Sequence, residues 1–252
     1  MRTLALVFLG MFLGCSSSDE PSAPATVTDS GMDAPVIVDS EVAETPAADA
    51  GAKCAPRPIT GWTPGWYPPS GAHQGKCTAT EIDELVAACL GPGAPPDGCN
   101  ATRAKLATCA ACVSSDAYAT PTAALLEYKT PLMLLDRNVG GCVALKLGDS
   151  TKDGCGAKVR AAIDCGLQAC GAQCPFDPTR GFAALNACQK KAFADPSLCK
   201  TYFDAADQCV AEAGDKVTEC SFYLTGEPVA DVFKRYATLF CVAAPTSDAG
   251  TD

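Results

Sequence analysis

The sequence predicts a mainly α-helical, disulfide-rich domain. It reads as an array of about three divergent helical hairpins, with one short β-hairpin as an option, on a disordered N-terminal tether. Three observations predict it. Sixteen of the 17 cysteines lie between Cys54 and Cys241. Apolar residues in that stretch recur at helical intervals. Residues 16–52 are almost wholly Ser, Thr, Ala, Pro and acidic residues, with eight Asp or Glu and no Lys or Arg.

Taken in chain order, Arg2 precedes the apolar run Leu4–Leu13, which ends at Gly14-Cys15. A charged start, a short apolar stretch and a small residue at its end form an export signal, assigned to residues 1–14. The run is about half the roughly 20 residues of a membrane-spanning helix. Phe12-Leu13-Gly14-Cys15 resembles the lipobox of bacterial lipoproteins and departs from it at Phe12, where Leu is usual. The resemblance implies cleavage before Cys15, a thioether-linked diacylglycerol and an amide-linked acyl chain on Cys15, and a membrane partner through that lipid. Several chains together anchor stably where one holds only marginally. Ser16 implies sorting to the outer membrane in a bacterium with two membranes, so the expected location is exported, at the outer membrane or cell surface.

The stretch after Cys15 buries too little apolar surface to offset the entropy of ordering it. We read residues 15–53 as lipidated Cys15 plus an acidic linker, a self-repelling tether that holds the domain about 35 Å from the bilayer. Residues 54–243 form the Cys-rich helical domain and 244–252 a flexible tail. Residues 53–247 carry 18 Lys and Arg against 19 Asp and Glu, so there is no basic face for a polyanion, and nucleic acid is not an expected partner.

An exported chain with an even number of cysteines beyond Cys15 is a disulfide framework. Zinc is the rival explanation, but the chain has one His and a single C-x-x-C, Cys109-Ala-Ala-Cys112, so no metal and no cofactor is expected. Sixteen cysteines allow about two million pairings, which helix geometry narrows. Thr78-Ala-Thr-Glu81 is a capping box that opens a helix with Ile82, Leu85, Val86, Cys89 and Leu90 on one face. A Gly/Pro breaker follows, and Asn100 can cap a second helix carrying Leu106, Cys109 and Val113. A turn near residue 94 sets Cys89 level with Cys99, and Cys77 level with Cys109 or Cys112. The spacing Cys99/Cys109 recurs as Cys155/Cys165 and Cys199/Cys209, each preceded by a cysteine on the previous segment: Cys89, Cys142 and Cys188. In spacing logic these units resemble the twin C-x9-C helical hairpins of oxidised compartments. The expected bridges span the hairpin turns, Cys89 with Cys99 and Cys142 with Cys155, and Cys188 with Cys199 completes the third unit. Apolar stripes at Leu198–Val210 and Val229–Phe240 supply further core helices. Between the first two hairpins, Leu125–Lys129 and Pro131–Leu135 are short strands or a helix and a loop; period alone does not choose.

No constellation points to catalysis. A nucleophile normally needs a His as its base, and the lone His73 sits in a turn-rich loop without a G-x-S-x-G elbow. Asp149–Arg160 starts like a calcium loop but places Arg160 where a bidentate Glu belongs. Cys109 and Cys112 are the candidate pair for a thiol-disulfide oxidoreductase, yet they fall late in their helix, where the dipole raises a thiolate pKa. Trp62, Trp66 and Tyr67 lie among Pro58, Pro64, Pro68 and Pro69. Such rings either strap the segment onto the helices or form, with His73, a stacking surface for a glycan or a protein ligand. The expected function is therefore a non-enzymatic binding or structural module at a membrane surface. The alternatives are the oxidoreductase and a hydrolase whose site the sequence does not reveal.

Overall fold

The oxygen of Thr78 accepts from the Glu81 backbone N–H at 3.2 Å while Glu81 Oε2 accepts from the Thr78 N–H at 2.7 Å, closing the capping box that opens helix α1, Ala79–Leu90. The computed structural model describes residues 54–91, 94–129, 134–174, 182–220 and 228–244. The expected signal peptide, Cys15 and linker lie outside these residues, as does the tail beyond its first residue. Helix α2 runs Pro96–Lys105; it starts on Pro96 rather than at Asn100, since proline suits the first helical position, where its missing N–H costs no intrahelical bond. The backbone at Leu106 (φ −105°, ψ 39°) separates α2 from α3, Ala107–Val113.

The stretch left open by the sequence is a small sheet. Strands β1 (Ser114–Asp116), β2 (Leu125–Tyr128) and β3 (Leu134–Arg137) stand in the order β1-β2-β3. β2 and β3 form the antiparallel β-hairpin, with Leu125 opposite Arg137 and Tyr128 opposite Leu134, and β1 runs parallel to β2. Side-chain alternation splits β2 between two hydrophobic clusters. Leu125 joins the one around Ile82, Val143 and Phe240, and Leu126 and Tyr128 join the one around Leu167, Leu185 and Cys188.

Five helical elements follow: α4 (Val139–Leu147), α5 (Cys155–Cys170), α6 (Ala183–Ala194), α7 (Lys200–Ala213) with a 3-10 turn over Gly214–Cys220, and α8 (Val229–Cys241). Asn138 caps α4, accepting from Gly141 N–H at 2.8 Å, and Gly148 closes it in the left-handed region (φ 68°), where glycine carries no steric cost. No helix among the described residues is long and apolar enough to cross a membrane.

All sixteen cysteines from Cys54 to Cys241 are paired. Bridges at this density place the folded part in an oxidising compartment. The structure joins Cys89 to Cys99, and Cys77 to Cys109, so the first unit is a hairpin with two rungs. The second and third units differ from expectation. Cys142 bonds Cys220 instead of Cys155, and Cys155 bonds Cys209. Cys188 bonds Cys170 instead of Cys199, and Cys199 bonds Cys165.

The reason lies in the crossing of α4 and α5. A Cβ on Gly140 would lie 2.7 Å from the Gly156 oxygen, and one on Gly156 would lie 2.7 Å from Ala144 Cβ, so bare glycine backbones form the contact. Each helical residue advances about 100°. Cys142 and Cys155, two and one residues from those glycines, are therefore turned toward the 3-10 turn and toward α7. The twin C-x9-C pattern does exist here, but between units: Cys155 and Cys165 of α5 face Cys209 and Cys199, cross-linking α5 and α7 antiparallel.

A methyl group at this crossing should force the two helices apart. We expect Gly156→Ala to lower stability by about 1–3 kcal/mol, as overpacked cores do, in thermal unfolding with the disulfides intact. An unchanged or raised midpoint, the normal response of an exposed helical glycine to Ala, would contradict the close contact.

Candidate functional site

The segment from Cys54 to Cys77 has no helix or strand of its own and is held mainly by other elements. Cys54 is bonded to Cys174, the Arg57 backbone N–H donates to Ala169 O at 2.9 Å, and Arg57 Nε donates to Gln168 O at 3.0 Å. Trp62 meets Tyr202 of α7 edge-on, with ring centroids 5.6 Å apart. Trp66 Nε1 donates to Ser150 O at 2.8 Å. Thr122 Oγ1 donates to Tyr67 O at 3.0 Å. The His73 and Gln74 N–H groups donate to Leu239 and Phe240 carbonyls at the end of α8, and Cys77 ends the run in its bridge to Cys109. The prolines suit such a path, since they fix φ and need no donor satisfied. This strap ties α5, α7, the sheet and α8 together.

Of the four aromatic positions singled out by sequence, Trp62 and Tyr67 line one cleft. Trp66 is turned to the α4–α5 loop. His73 is exposed at the far end of the strap with a positive φ of 51°, its Nδ1 3.2 Å from Val242 O. The cleft has a volume of about 100 Å³, and Thr63, Tyr118, Asp164 and Gln168 complete its polar and aromatic lining. A second, more open cleft of about 300 Å³ lies between the strap and α3, where Ser70, Gln74, Lys76, Thr108 and Ser115 face it.

Behind the first cleft sits a buried ion pair. Arg160 is 1% exposed and Asp164 7%, one helical turn apart on α5. Arg160 Nε donates to Asp164 Oδ2 at 2.7 Å and Nη2 to Ala117 O at 2.7 Å; Tyr128 Oη donates to Asp164 Oδ1 at 3.2 Å. The guanidinium lies 5.5, 5.9 and 5.7 Å from the ring centres of Tyr67, Tyr118 and Tyr128. Facing rings attract it through their quadrupoles. Burial opposes its charge, and the Asp164 carboxylate beside it, which accepts from Nε, acts to restore it. Burial also pushes the Tyr128 hydroxyl well up, so that hydroxyl stays protonated and donates. Arg160 Nη1 has no partner among the described residues. Sequence reasoning did not find Arg160, Asp164, Tyr118 or Gln168. The available signal was an Arg and an Asp four apart inside the otherwise small and apolar run Val159–Cys165.

The remaining candidates resolve simply. Cys109 and Cys112 are bonded to Cys77 and Cys241, not to each other, and both are buried. The sulfurs of Cys54, Cys174 and Cys188 approach within 4.8 Å, the spacing of a metal site, but each belongs to a disulfide. Asp149 Oδ1 accepts from the Thr151 N–H and hydroxyl, which closes its own loop. Compared with known proteins, the chain matches no family model and shows no significant similarity to a curated protein or to a solved structure.

Removing one member of the Arg160–Asp164 pair strands a buried charge. Asp164→Leu should cost about 3–5 kcal/mol in chemical denaturation, and Tyr128→Phe about 1–2 kcal/mol through one lost hydrogen bond to the carboxylate. Equal, small losses in both would show that the guanidinium is hydrated rather than enclosed.

Proposed function

We propose that the protein is an exported lipoprotein, anchored through acylated Cys15 at the outer membrane or cell surface. Its folded domain acts as a non-enzymatic binding or structural module. One observation carries the reading: the domain pairs sixteen cysteines among themselves, so Cys15 is the one of the 17 left over, and it stands where the apolar N-terminal run ends. An odd cysteine in a disulfide-rich exported chain needs a separate use. Acylation supplies it.

The framework also weighs against the alternative of a thiol-disulfide oxidoreductase at Cys109 and Cys112. Such an enzyme needs an accessible thiolate with its partner thiol beside it, and here the two sulfurs have separate partners in the core. The bridges instead suit a module that keeps its shape outside the cell and presents the strap, with Trp62 and Tyr67, to a glycan or protein ligand.

Mass spectrometry of the membrane fraction should show Cys15 as a lipid-bearing N-terminus, and Cys15→Ala should move the protein into the soluble fraction. Thiol titration of the denatured, unreduced mature protein should then find no free thiol. An unmodified Cys15, or a Cys15→Ala chain that stays in the membrane fraction, would refute the anchor.

A further inference from the structure

We infer that the cleft between the strap and α5 is a binding site for a single neutral sugar residue, such as the terminal residue of a glycan. The inference rests on the reading of the domain as a surface binding module and names its ligand class. Five residues that line the cleft carry a polar side-chain group without a hydrogen-bond partner among the described residues: Trp62 with its indole N–H, Thr63, Tyr67 and Tyr118 with their hydroxyls, and Gln168 with its amide. These groups both donate and accept, which matches the hydroxyls of a sugar ring, each a donor and an acceptor at once. The Asp164 carboxylate adds a strong acceptor in the wall and is itself 7% exposed. The aromatic rings of Trp62, Tyr67 and Tyr118 add apolar surface to the lining, suited to the C–H side of a sugar.

Charge selects against the other ligand classes. A cation would find Asp164 already paired with Arg160 behind the wall, and the Tyr67 and Tyr118 rings already occupied by that guanidinium at 5.5 and 5.9 Å from their centres. An anion would meet the Asp164 carboxylate. Arg160 and Asp164 neutralise each other at 2.7 Å, so the wall carries polarity without net charge. Size restricts the ligand further. About 100 Å³ falls below the 300 Å³ or so of a cavity that encloses a drug-sized molecule and is smaller than a whole hexose, so the edge of one terminal ring enters and the rest of it, with any longer chain, stays in solvent.

The cleft is also built to keep its shape. Its two sides come from the strap and from α5, and Cys54–Cys174 and the two Arg57 hydrogen bonds lock those elements together. A Cβ on Gly65 would come within 2.7 Å of the Tyr67 hydroxyl oxygen, so only a glycine leaves that ring in place against the strap. Such preorganisation lowers the entropy cost of binding a small ligand.

The test is a titration of the oxidised mature chain carrying Cys15→Ala, followed by the two tryptophan indole N–H signals in two-dimensional NMR, with Trp62→Phe to assign them. The probes are glucose, galactose, mannose and N-acetylglucosamine, then tetramethylammonium and acetate. One or more of the neutral sugars should shift the Trp62 signal saturably and leave Trp66 in place. Gln168→Ala should weaken that binding about tenfold, the worth of one or two hydrogen bonds, with an unchanged unfolding midpoint. The assignment is overturned if no probe moves Trp62, if tetramethylammonium or acetate moves it instead of a sugar, or if Gln168→Ala binds like the parent. Sugar-induced shifts elsewhere with Trp62 silent would remove the cleft while leaving a surface binding module intact.

Discussion

Four of the eight disulfides begin on or just after α5, at Cys155, Cys165, Cys170 and Cys174, and the rest of the fold depends on that cross-linking. They tie α5 to α7 twice, to α6 and to the start of the strap. The dependence follows from what the core is made of. More than half of the buried apolar residues are Ala or Cys, and large side chains such as Phe240, Tyr236 and Ile82 are few. Burial of small side chains releases little apolar surface per residue, while the entropy cost of ordering the chain stays the same. Closing loops with sequence separations of 54 and 34, as Cys155–Cys209 and Cys165–Cys199 do, constrains the unfolded chain by about 4 kcal/mol each when counted singly in the chain-entropy model. Because these loops nest, the terms do not add.

The same small residues explain the geometry. Glycine backbones meet where α4 crosses α5, and that close approach turns the flanking cysteines outward to partners far along the chain. With α5 fixed on several sides, one charged pair can be sealed into it. Arg160 then serves as an interior anchor, gathering Tyr67 from the strap, Ala117 and Tyr118 from the β1–β2 connection and Tyr128 from β2. Framework and cleft are thus one construction, since the side chains that close the back of the cleft also hold the strap in place.

Much of the architecture was legible because local rules govern it. The capping box at Thr78–Glu81, the stripes of α7 and α8 and the short loop between Cys89 and Cys99 each follow from a few adjacent residues. Pairing over longer distances was not legible. The spacing of Cys155/Cys165 and Cys199/Cys209 marked two repeats of one unit, but the close crossing of α4 and α5 turns these cysteines to partners far along the chain, and no local signal encodes that. The sheet was ambiguous for a related reason: β2 is buried on both faces, so its apolar run lacks the alternation that marks a strand. The site was half visible. Aromatic density disclosed Trp62 and Tyr67, while their α5 partners lie about a hundred residues away, and nothing in the strap points to them.

The fold depends on α5 and α7 being joined by two antiparallel rungs, and disulfide mapping of the unreduced protein tests that most directly. Proteolysis followed by mass spectrometry should yield Cys155 joined to Cys209 and Cys165 joined to Cys199, with Cys142 found on Cys220. A peptide joining Cys142 to Cys155, or Cys188 to Cys199, would contradict it and return the domain to a row of separate hairpins.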